Sequence, residues 1–227
     1  MLRLLACIVV LGVAAVACTH SESAADKTTQ KREDQARQVA SKAGLSTAVQ
    51  DFLALYATAA TNSFTVTYGP SAEGTSVVLV QAPPLRRVDV VAPAVTRSVF
   101  VTKQGTYDCA LQDQAWTCEQ AQQQEGAPGL LAPADIERTV DELKTAKTNY
   151  TFAVTKKKIA GTDTKCLVTT PKPSVAGGGS TLCLSSLGAV LLVQGNGNPL
   201  QAVKYSTSVD TRRLNLPAVP EPPPIKP

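Results

Sequence analysis

Four cysteines, Cys109, Cys118, Cys166 and Cys183, have the type and spacing to react with one another. In an oxidising compartment such a set forms disulfides, and four cysteines allow three pairings. The local pairing is expected on geometry. Cys109 and Cys118 bracket eight residues, and a turn at Asp113-Gln114 would set them opposite each other on a hairpin. Cys166 and Cys183 flank a loop rich in Pro and Gly. Closing loops this short adds about 3 kcal/mol apiece in the chain-entropy view. No Cys-x-x-Cys is present, so the bonds read as structural staples and not as a redox pair.

A fifth cysteine points to different chemistry. The chain opens on Arg3, runs apolar from Leu4 to Val16, and reaches Cys18 directly after the small residue Ala17. A charged start, a short apolar run and small residues before a cut form an export signal, and the run is short for a bilayer span. The segment resembles a bacterial lipobox, with Ala15 where leucine is usual. That likeness implies a diacylglyceryl group on the Cys18 thiol, cleavage before it, and anchoring on the outer face of the cell membrane. Each buried CH₂ then contributes about 0.8 kcal/mol, so two or three acyl chains hold firmly. The alternative is an ordinary signal cut nearby, which leaves Cys18 incidental. Cys7 leaves with the signal in either case.

The remaining chemistry is sparse. The single histidine, His20, lies two residues past Cys18 and outside any expected domain. Without His, no Ser or Cys nucleophile arrangement of the usual kind can be assembled, nor a typical zinc site. No calcium loop, phosphate-binding loop or serine-elbow motif occurs. No enzyme activity, metal or cofactor is expected. The net charge of +4 and 4% aromatic residues give no platform for nucleic acid. The run Lys156, Lys157, Lys158 reads as a solvated strand end, although such a run can also touch anionic headgroups.

These residues need a scaffold, and periodicity supplies one. Residues 1–17 read as the signal and 18–45 as a polar, flexible or loosely helical tether with almost no large apolar residue. A helix is predicted from Ser46, with Val49, Phe52, Leu53, Tyr56 and Ala60 on one face and Thr47 and Gln50 as a capping box. From Ser63 the period becomes two, with Phe64, Val66 and Tyr68 alternating with polar residues. About six short strands follow, punctuated by Gly and Pro, as in an antiparallel meander. A second helix is expected after Pro133, with Ile136, Val140 and Leu143 as its stripe. About five more strands run to residue 209. The domain is expected to cover residues 46–217, with a Pro-rich tail at 218–227. Either half alone would leave a sheet face bare, so the fold class is a single α+β domain.

This order resembles the LolA/LolB-like superfamily of lipoprotein carriers, including the LppX/LprG-type lipoproteins. Four passages carry the likeness. Val78 through Pro83 and Pro84 to Arg86 and Arg87 is similar to that group's strand–proline–basic passage. Ile159 to Leu167, with Gly161, is similar to the glycine entering its second sheet half. Cys183 to Leu191, with Gly188, is similar to a strand–glycine–strand passage, and Leu214 to Pro217 to its last strand. The resemblance implies an incomplete antiparallel half-barrel of about 10–11 strands wrapped around helices, enclosing an apolar cavity for acyl chains. Ala82 stands where the carriers have a basic residue before the proline, so that residue's release role is not transferred.

Small Val, Ala and Leu walls with four Phe and one Trp would leave room for an apolar ligand, though a core packed solid reads the same way. The expected lining is Phe52, Tyr56, Phe64, Val66, Tyr68, Val88, Val90, Phe100, Phe152 and Val154. The expected function is binding or transfer of a lipid or other apolar molecule by an anchored lipoprotein. The alternative is a non-catalytic protein-interaction or envelope-stress sensor module with a filled core and an envelope protein partner.

Overall fold

The chain, seen in a computed structural model, is described over residues 24–71, 74–121 and 135–220. Cys18, the signal, His20, Pro133 and the end of the Pro-rich tail lie outside the described residues.

Eleven strands form one open antiparallel sheet. Six come first: β1 (Phe64–Tyr68), β2 (Ser76–Ala82), β3 (Leu85–Val91), β4 (Thr96–Val101), β5 (Thr106–Gln112) and β6 (Ala115–Gln120). Five follow: β7 (Tyr150–Ile159), β8 (Thr162–Pro171), β9 (Ser180–Leu184), β10 (Val190–Gln194) and β11 (Leu200–Ser206). Their spatial order is β6-β5-β4-β3-β2-β1-β11-β10-β9-β8-β7, so two meanders meet where β1 pairs with β11. Tight hairpins make this order local. Asp113 and Gln114 both take positive φ, 50° and 65°, the conformation a two-residue hairpin turn needs. The fold class is thus α+β, with a curved sheet that stays open at β6 and β7.

The described residues hold three α-helices, and the first lies in residues expected to be flexible or loosely helical. Residues read as tether contain α1 (Ala24–Lys42), which packs along α2 (Thr47–Thr58). Its buried stripe is Ala36 and Ala40, small enough for the two backbones to approach closely. Arg37 reaches Asp51 at 3.1 Å across the pair. The folded unit therefore begins well before Ser46. The capping box also differs: Ser46 is the N-cap without a side-chain bond, and Gln50 donates back to the Leu45 carbonyl at 2.7 Å. α3 (Ile136–Ala146) is capped by Asp135, which accepts from the Arg138 amide.

The helices bury one core against the second meander. Phe52, Leu53 and Tyr56 of α2 and Val140 of α3 pack with Leu167, Leu184 and Val190, with Phe152 and Val154 alongside. A separate cluster forms on the opposite side of the first meander. There Phe100, the Cys109–Cys118 bond and Trp116 pack under Leu216 and Ala218, after the short 3₁₀ turn η1 (Thr211–Leu214). Leu216 and Ala218 thus lie packed at the boundary expected between domain and tail.

Candidate functional site

Ladder register decides which side chains share a face, because alternate residues point to opposite sides. Val66, Leu79, Val88 and Val99 lie opposite one another across β1 to β4. A parallel row is Tyr68, Val77, Val90 and Arg97, and another is Phe64, Gln81, Arg86 and Val101. This side faces α2, since the Gln81 amide donates to the carbonyls of Ala59 and Asn62 at the end of that helix.

Burial falls along these rows away from the helices. Val66, Leu79 and Val88 are buried, whereas Val77, Val99 and Val101 are partly exposed and Val90 is 37% exposed. The first meander thus leaves an apolar strip of valines open on its helix side.

Arg86 lies beside that strip and is 8% exposed. Its Nε has no hydrogen-bond partner. Desolvation holds the guanidinium down to about 10, with Tyr68 and Tyr56 the charges that oppose the shift. Burial likewise pushes both tyrosine hydroxyls up. Tyr68 donates to the Val190 carbonyl at 2.7 Å, which ties the two meanders together beneath the helices. Among the described residues no carboxylate is bonded to it; a buried cation in that state costs stability, and an incoming anion would offset that cost.

The ten expected lining residues divide. Phe52, Tyr56, Phe64, Val66, Tyr68 and Val88 are buried, with Phe52 and Tyr56 in one packed cluster and the other four in another. Phe152 and Val154 pack at the edge of the helix cluster. Val90 lies in the open strip, exposed instead of enclosed. Phe100 is a correction. It pairs with Arg87 and Tyr107, so it points to the opposite face and packs with Trp116. Both disulfides have the local pairing, Cys109–Cys118 and Cys166–Cys183, each between directly opposed residues of neighbouring strands.

Sequence reasoning missed a second feature. A half-open cleft of about 570 Å³ lies at the β7–β8 hairpin, lined by Lys156, Lys157, Lys158 and Lys165 with Ser185, Ser186 and Leu55 of α2 among its walls. Phe152, Val154, Lys156 and Lys158 fall at alternate positions of β7, so one face changes from apolar to cationic along a single strand. That switch was the available signal, hidden because a lysine triplet reads first as solvated. Among the described residues the one carboxylate in the lining, Asp163, sits 4.0 Å from Lys158, leaving the cleft with excess positive charge.

Among the described residues no three His, Cys, Asp or Glu side chains group to hold a metal ion, and no helix is long and apolar enough to cross a membrane. No protein-family model and no curated protein matches the chain.

Proposed function

We propose that this protein is an exported lipoprotein, tethered through Cys18, that binds an amphiphile with an acyl chain and an acidic head on the helix side of its open sheet. One observation carries the reading: the valine strip of Val77, Val90, Val99 and Val101 lies open beside the buried, unpartnered Nε of Arg86. An acyl chain covers the valines, and a carboxylate or phosphate supplies a partner for the Arg86 Nε. The likeness to LolA/LolB-like carriers supports the same ligand class, and a covalent anchor favours a receiver or presenter over a freely moving shuttle.

A second reading is supported by the packing of Phe64, Val66 and Tyr68 with Leu79 of β2 and Val88 of β3, in line with a filled core. In that reading the valine strip docks a protein partner of the envelope.

The test is binding of a fluorescent fatty acid to the full chain purified in neutral detergent, with lipid extraction of the same preparation. Saturable uptake that Val99→Glu abolishes and a lipid-sized co-purifying acid support amphiphile binding. Absence of both overturns it in favour of the protein-docking reading.

A further inference from the structure

The lysine cleft and the start of the folded chain lie at one end of the molecule. Leu55, in the cleft wall, is one turn before the C-terminal end of α2. Just past that end, the Thr61 hydroxyl meets the Thr29 hydroxyl of α1 at 2.8 Å. α1 therefore begins beside the helix end that borders the cleft. Cys18 precedes Ala24 by six residues, a reach of at most about 20 Å. A membrane holding Cys18 would face this end.

The cleft is chemically suited to that surface. Lys156, Lys158 and Lys165 stand on the face of β7 and β8 that continues from Phe152, Val154 and Leu167. Lys156 and Lys165 are directly opposed across the two strands, an arrangement of like charges that costs stability unless an anion sits between them. Ser185 and Ser186 add hydroxyls to the wall, although the Ser185 Oγ already accepts from the Leu187 and Ala189 amides. Three ammonium groups on that face, with the Asp163 carboxylate beside Lys158, match the phosphate of a lipid headgroup, and Leu55 and Leu184 offer apolar contact to the glycerol below it.

We infer that this cleft binds the phosphate of an anionic phospholipid headgroup in the membrane that carries the anchor. The inference rests on the anchoring half of the proposed function and is independent of any ligand on the valine strip. The headgroup site orients the domain, setting the β7–β8 hairpin against the bilayer and the valine strip at a fixed angle to it.

The experiment is native mass spectrometry of the full chain from neutral detergent, titrated with short-chain phosphatidylglycerol, phosphatidylcholine or inorganic phosphate. The expected result is one phosphatidylglycerol bound in preference to phosphatidylcholine, without displacement by inorganic phosphate. The combined variant Lys156→Gln, Lys158→Gln, Lys165→Gln should weaken that binding on the order of a hundredfold, since each surface lysine contributes about fivefold. Raising the salt should weaken the unaltered protein in the same direction, a reading that does not depend on how the variant folds. Equal binding of the two lipids, or insensitivity to salt, overturns the inference. Equal competition by inorganic phosphate also overturns it and assigns the cleft to a soluble phosphate. The mass of acyl groups on Cys18 in the same spectra shows separately whether the chain is anchored.

Discussion

The carboxylate of Asp89 accepts a hydrogen bond from the guanidinium of Arg213 at 3.1 Å, joining β3 to the last turn of the fold across 124 residues. Asp89 also accepts from Ser98 at 2.7 Å and pairs with Arg87. Arg87 in turn donates to the Arg213 carbonyl at 2.9 Å and lies 4.8 Å over the Phe100 ring. This network fastens η1 to the outer face of the first meander and leaves the helix side free. Replacing Asp89 with Ala strands Arg87, whose side chain is 15% exposed, and should cost about 3 kcal/mol in urea unfolding. Arg213→Ala should cost about 1 kcal/mol or less, because that side chain is 38% exposed and screened. Equal losses would mean that the network does not centre on Asp89.

The strands were legible because their period of two is broken by Gly and Pro at short intervals, and the count of six then five follows from that punctuation. α1 was not legible. Its packing stripe is Ala36 and Ala40, and small residues among charged ones give no strong apolar signal, although their size is what lets α1 lie close on α2. Phe100 was misplaced for another reason. Its face is fixed by counting through two hairpins, and one residue of register moves a side chain to the other side. Arg86 is the reverse case: its place in the strand–proline–basic passage is legible, yet only the register shows that it is buried and facing α2.

Gly188 fixes how closely α2 approaches the sheet. Its φ is +76°, and a Cβ there would strike the Leu55 carbonyl oxygen and come within 2.8 Å of the Ala59 amide nitrogen. Both are backbone atoms that cannot turn aside. Gly188→Ala should therefore cost about 2 kcal/mol or more and lift the end of α2 that walls the lysine cleft. A thermal melt checks the stability. Headgroup binding measured below the melting temperature should weaken in step, whereas a change in stability alone would uncouple helix seating from the cleft.

The two disulfides constrain loops of different length, with separations of 9 and 17 residues. Replacing either pair by Ala should lower stability by about 2 to 3 kcal/mol, with the longer loop costing more by roughly half a kcal/mol. Denaturant midpoints of the two double variants, compared at equal slope, give the order. The reverse order would show that packing of Cys109 and Cys118 against Phe100 outweighs loop entropy.

Arg86 offers the sharpest separation of stability from function. Its guanidinium is held down to about 10, well below its ordinary value, so the unfolded chain binds that proton more tightly than the folded one. The cost is therefore complete at neutral pH and is relieved only as pH rises above about 10. In that alkaline range Tyr68 and Tyr56 act the other way, since their raised values lose stability as pH climbs above 10. Neutral pH is thus where Arg86 can be read alone. Arg86→Met keeps the stem and removes the charge, and it should raise the stability of the unliganded protein by about 1 to 4 kcal/mol. The same variant should lose binding of an acidic amphiphile while retaining a neutral one of equal chain length. Calorimetric melts with and without each ligand report both quantities. A variant that is less stable without ligand and binds the acid unchanged would show that Arg86 already has its counter-charge within the fold, and the acidic head would have to be placed elsewhere.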